Sequence, residues 1–115
     1  MNILYQDYNR LDINNMKKTI NFYDFERAFV QADRANQFTY EGLKALFEYI
    51  EEYEDSTGEE VELDVIALCC EYVEYESLDE FHSEYDKEDY PDLETIAGYT
   101  QVIDIDLDSF IILQF

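Results

Sequence analysis

Apolar and polar positions change period several times along this 115-residue chain, and each change predicts an element. Residues 1–20 mix Asn, Asp and apolar side chains without a clear period. That predicts an irregular N-terminal arm ending in a short strand near Thr19–Ile20. Asn21 is placed as an N-cap with Asp24 in the first turn, and Phe22, Phe25, Ala28, Phe29 and Ala32 then recur at helical spacing. The spacing predicts a helix over about 22–34. Thr39 caps a second, longer helix whose apolar stripe is Tyr40, Leu43, Leu46, Phe47, Ile50 and Tyr53, and Gly58 stops it.

From Val61 to Tyr75 the pattern is ambiguous. Val65–Cys70 is a run of six apolar residues, after which Tyr72, Val73 and Tyr75 alternate with Glu71, Glu74 and Glu76. Leu63, Ile66, Cys70 and Val73 also fit a helix. β-Branched and aromatic enrichment favours a buried strand whose end emerges into solvent. Ser77-Leu-Asp-Glu80 has the form of a capping box and opens a short helix with Leu78, Phe81 and Tyr85 inward. Tyr90-Pro91 marks a turn, and Asp92–Ala97 allows at most two helical turns before Gly98. The ending "TQVIDIDLDSFIILQF" predicts a hairpin, with strands near 101–105 and 110–115 around Leu107-Asp108-Ser109. The expected fold is α+β: a small antiparallel sheet of about three strands packed against two longer helices, plus one or two short helices. The expected domain is single, 1–115, with residues 21–115 forming its compact acidic core.

Charge changes this picture more than composition does. A chain that is 47% hydrophobic and 17% aromatic has the material for a real core, unlike disordered chains of high charge. Yet its net charge is −22, and that charge is segregated. Residues 1–44 hold six acids and six bases, whereas residues 45–115 hold twenty-three acids and a single base, Lys87. Between Phe47 and Asp64 there are nine carboxylates and no Lys or Arg. Glu41, Glu48, Glu51, Glu52 and Asp55 share the face of the second helix opposite its apolar stripe. Like charges three or four residues apart on a helix cost a few tenths of a kcal/mol each. Charge kept for solubility has no need of such segregation, while charge that seeks a partner is expected to be placed.

Candidate chemistry fails at each position. His82 is the one histidine and reads as a surface residue on a short helix. Cys69 and Cys70 are adjacent, lack CxxC spacing and have no third cysteine to meet, so buried, reduced thiols are expected. Three glycines, Gly42, Gly58 and Gly98, make no phosphate loop. Asp104, Asp106 and Asp108 resemble the start of a calcium loop, but Ser109 stands where that loop needs Gly, and Phe115 where it needs Glu. Alternate strand positions facing water explain the three aspartates better, and at a hairpin they keep the edge soluble. No enzyme, cofactor or metal site is expected. No apolar stretch is long enough to span a membrane, and MNILYQDYNR lacks the plan of a secretory signal, so a cytoplasmic protein is expected.

The acid field is therefore the signal. Duplex DNA carries one charge per about 1.7 Å, so 22 charges match about 37 Å of duplex. A compact chain of this size is about 35 Å across. Tyr49, Tyr53, Tyr72, Tyr75, Tyr85 and Tyr90 are interleaved with the carboxylates. Each is either an exposed phenol that stacks on arginine or a half-buried ring covering the core edge. "FTYEGLKALFEYIEEYEDSTGEEVELDVIALCCEYVEYESLDEF", joined to "TQVIDIDLDSFIILQF", resembles a group of short acidic proteins encoded by bacteriophages and mobile elements. The resemblance covers about 38–115, with CCEYVEYESLDEF its most specific part. It implies a phage accessory role in the bacterial cytoplasm, some such proteins being anti-restriction or anti-CRISPR factors.

Charge and resemblance together lead to an expected DNA mimic. Such a protein would block the DNA groove of a basic host nuclease, a CRISPR effector first and a restriction enzyme next. It would bind no nucleic acid or membrane itself, and would act as a monomer or dimer. Glu48, Glu51, Glu52, Asp55, Glu71, Glu74, Glu76, Asp79 and Glu80 are the expected contacts. The rival reading is an adaptor for a basic transcription or replication protein, without DNA mimicry.

Overall fold

The computed structural model describes residues 20–115. The expected arm lies outside them, as does Thr19; Ile20 is outside any strand and fully buried. Among the described residues the order is α1 (Phe22–Gln31), α2 (Tyr40–Thr57), α3 (Val65–Glu71), β1 (Tyr72–Tyr75), α4 (Leu78–His82), α5 (Leu93–Ala97), β2 (Val102–Asp104) and β3 (Phe110–Leu113). The class is α+β, as expected.

Local chemistry sets most of the boundaries. The Asn21 side chain accepts from the Asp24 amide at 2.8 Å while Asp24 accepts back from the Asn21 amide, closing a capping box on α1. α1 ends at Gln31, short of the expected 34, because Asp33 takes a left-handed φ of 64°. Aspartate is among the few non-glycine residues that adopt this conformation. Thr39 caps α2 through the Gly42 amide, and Gly58 ends it at φ 73° with its N–H on the Glu54 carbonyl.

The strand expected over Val65–Cys70 is a helix instead. Asp64 accepts from the Ala67 amide at 3.1 Å and opens α3. The chain turns into β1 only at Tyr72, where it finds a partner in β3. As a consequence Cys69 is half-buried and Cys70 exposed, against the expectation that both are buried.

The sheet has the order β1-β3-β2, both pairings antiparallel. Tyr72 faces Leu113, and Val102 faces Ile112. β3 is the middle strand and alternates between two cores, Ile111 on one face and Phe110 and Ile112 on the other. Burial on both faces is why FIIL is an unbroken apolar run. On the first face, Phe25 and Phe29 of α1, Leu46 and Ile50 of α2 and Val65 of α3 gather over Ile103 and Ile111. On the second, Phe81 of α4 and Ile96 of α5 close over Tyr75, Phe110 and Ile112. Each fully buried large side chain contributes about 1.5–3 kcal/mol. Among the described residues nine large side chains are below 2% exposure, so packing outweighs repulsion among surface acids.

Candidate functional site

α2 sets the site. Its acids at 41, 48, 51, 52 and 55 fall within about 100° of one another around the axis at 3.6 residues per turn. A single base, Lys44, stands among them. Glu41, Glu48, Glu52 and Asp55 are exposed and Glu51 is half-buried.

Two concave surfaces meet along this face. The first is an open groove of about 600 Å³ between the start of α2, the end of β1 and the β2–β3 turn. Glu41, Glu74, Glu76, Glu80 and Asp106 line it, with Phe38 and Ile105 as its apolar part. The second is a shallower cleft where Glu48 and Glu52 of α2 face Asp104 of β2 across Tyr49. Asp104 and Asp106 lie two residues apart on one hairpin, so the two surfaces adjoin there.

The expected contact residues therefore fall into groups. Glu74, Glu76 and Glu80 come together in the groove, and Glu48 and Glu52 in the cleft. Glu51 and Asp55 continue the α2 face beyond the cleft. Glu71, exposed at the junction of α3 and β1, and Asp79, exposed on α4, line neither.

Glu74 is committed to the fold. Its carboxylate accepts from the Thr39 amide at 2.9 Å and from the Thr39 hydroxyl at 2.7 Å, placing a negative charge on the N-terminus of the eighteen-residue α2. Gly42 makes room for it: a Cβ there would overlap Glu74 Oε1 and stand 2.6 Å from its Cδ. Glu80 is also tied, accepting from the Glu76 amide at 2.6 Å. Ser77 caps Glu80 as expected of the box, but the return bond goes to the residue before Ser77.

The hairpin aspartates differ from expectation. Only Asp104 sits on a strand; Asp106 and Asp108 belong to the turn. Asp106 accepts from the amides of Ser109 and Asp108 and from the Ser109 hydroxyl, all within 2.9 Å. These bonds, the Ser109 amide first, hold its carboxyl below the usual carboxylate range. Asp106 lines the groove with Glu74, Glu76 and Glu80, and Asp104 lines the cleft with Glu48 and Glu52. Sequence spacing missed this because cross-strand pairing, not chain proximity, brings the hairpin to α2.

Glu54 was missed as well. It lies four residues beyond Ile50, on the same face just past the end of the apolar stripe, and is 7% exposed, accepting from the Val61 amide at 2.6 Å. The same stripe leaves its expected flanks Tyr40 and Tyr53 exposed. Of the six interleaved tyrosines, Tyr53 is exposed, Tyr75 is buried, and Tyr49, Tyr72, Tyr85 and Tyr90 are half-buried. Burial raises Tyr49, whose hydroxyl donates to Gln101 Oε1, and pushes Tyr72 up to about 12.

His82 Nε2 lies 2.7 Å from the Tyr90 carbonyl, a structural bond between α4 and the next loop. Among the described residues no group of three or more His, Cys, Asp or Glu is placed to hold a metal, and no helix is long and apolar enough to cross a membrane. Compared with protein-family models, curated proteins and solved structures, the chain matches none.

Proposed function

We propose that this chain is a phage-type acidic DNA mimic that inhibits a host defence nuclease, a CRISPR effector in the first place and a restriction enzyme next. It acts by occupying the DNA-binding groove and has no catalytic role of its own. The observation that carries the reading is the convergence of acids from four elements, α2, β1, α4 and the β2–β3 hairpin, on two adjoining concave surfaces. A chain that needed charge only for solubility would gain nothing from that convergence.

Along α2, Glu41, Glu48, Glu52 and Asp55 extend over about 21 Å at 1.5 Å per residue. That length presents a row of anions to lysines and arginines that otherwise meet phosphates. Encounter is accelerated by the long-range field of the net charge, and the bound state is held by ion pairs within the groove.

The experiment is a displacement titration with labelled duplex DNA on a purified, guide-loaded CRISPR effector and on a restriction enzyme. Competitive displacement from one of them, weakening by orders of magnitude between about 50 and 200 mM salt, supports mimicry. Simultaneous binding of DNA and this protein, or no displacement from either enzyme, refutes it.

A further inference from the structure

On the second face of the sheet four rings follow one another from the core to the surface. Phe81, fully buried, stacks on Tyr85 at 4.4 Å and 1°. Tyr85 stacks on Phe115 at 5.2 Å and 16°, and Phe115 on Tyr99 at 6.2 Å and 16°. Tyr90 stands edge-on to all four, at interplanar angles from 79° to 89°. Phe81 is fixed in the core and Tyr85 is half-buried, whereas Phe115 is 45% and Tyr99 63% exposed. A ring packed on one side reaches that exposure only if its other face is open.

The loop that carries Tyr85 and Tyr90 is strongly acidic: residues 84–94 hold Glu84, Asp86, Glu88, Asp89, Asp92 and Glu94 against one base, Lys87. An open aromatic face beside such a loop suits a planar cation. Guanidinium stacks on the electron-rich face of a ring and pairs its N–H fork with a carboxylate, which an ammonium does less well. The chain already uses this contact internally, with Arg27 over the Tyr23 ring at 5.6 Å.

We propose that Tyr99, backed by Phe115 and set beside the acidic 84–94 segment, whose Tyr90 ring meets it at 5.3 Å, is a second contact that receives an arginine side chain of the basic partner. It rests on the proposed function only in taking that partner to be basic. Tyr99 is already stacked on Phe115 and edge-on to Tyr90 before binding, so part of its side-chain freedom is lost in advance, which favours an anchor of this kind.

The test uses the full chain, isotope-labelled, titrated with hexa-arginine and hexa-lysine peptides at matched ionic strength. Arginine is expected to bind about 2- to 5-fold more tightly than lysine, with the Tyr99 and Phe115 ring resonances moving for arginine and not for lysine. Tyr99→Phe should keep the preference, and Tyr99→Ser should reduce it, leaving what the carboxylates and the other exposed rings, Tyr23, Tyr40 and Tyr53, supply. Equal affinities in the wild type, still rings, or a preference undiminished by Tyr99→Ser would overturn the proposal. Loss of DNA competition with the Tyr99-dependent preference intact would sink mimicry alone, and the opposite pattern would sink this contact alone.

Discussion

Gly42→Ala should change the sign of its effect according to what occupies position 74. Inside a helix, alanine is favoured over glycine by about 1 kcal/mol, so the substitution would ordinarily stabilise α2. Here the new methyl overlaps Glu74 Oε1, and the carboxylate must swing away from the Thr39 amide and hydroxyl. Hydrogen bonds to a charged group contribute about 1.5–3 kcal/mol each. Thr39 is exposed, so the lower figure applies and the loss is about 3 kcal/mol. The net expectation is destabilisation by about 2 kcal/mol in the wild type. With Glu74→Ala the bonds are already gone, and Gly42→Ala should stabilise by about 1 kcal/mol. The coupling between the two sites is then about 3 kcal/mol, large for a single pair. In thermal unfolding followed by circular dichroism, the shifts should be about −10 °C and about +5 °C. Equal stabilisation in both backgrounds would show that Glu74 does not sit on the start of α2, and would return it to the free surface.

The other expectations concern charge, phenols and thiols. Replacing Glu48 and Glu52 by glutamine and Asp55 by asparagine together should leave the unfolding midpoint unchanged or raised, because it removes like-charge repulsion at helix spacing; a clear drop in midpoint would mean these acids hold the fold. Burial first, and then the hydrogen bond to Glu84, raises Tyr75 further than Tyr72. The fold favours both protonated phenols, so their contribution is complete below pH 10.0, the ordinary value, and is lost as pH rises toward about 12. Tyrosinate absorbance should show these two titrating last, with alkaline unfolding accompanying them, and early titration of either would refute their burial. Cys70 should react with a thiol reagent well before Cys69, which is half-buried and whose thiol burial pushes up. Equal rates would mean that α3 is misplaced.

Much of the fold was legible where short-range chemistry decides it. Asn21 with Asp24, Thr39, Ser77 and Gly58 each announced a helix end because capping needs specific side chains at fixed offsets. Val65–Cys70 was misread because β-branched and aromatic enrichment around it suits a strand, while the deciding group, the Asp64 cap, makes one bond to Ala67. β1 takes its conformation from a strand nearly forty residues away, through Tyr72–Leu113 and Tyr75–Phe110, and no local pattern encodes that pairing. The candidate surface was half legible. Helical spacing brought Glu48 and Glu52 to one face, but their neighbour Asp104 comes from the hairpin. Glu74 alternates like a surface acid, yet its partner is a helix N-terminus supplied by the fold.

The most direct test of a placed acidic surface is inhibition of DNA binding by a guide-loaded CRISPR effector, compared between two triple reversals of equal charge. One replaces Glu48, Glu52 and Asp104 of the α2–β2 cleft. The other replaces Glu59, Glu62 and Asp108, exposed residues that line neither concave surface. DNA mimicry predicts that the first loses about 10- to 100-fold in inhibition, the effect of three lost ion pairs, while the second stays within about 2-fold of the wild type. Equal losses in the two variants would contradict it, leaving bulk charge and not its placement as the source of inhibition.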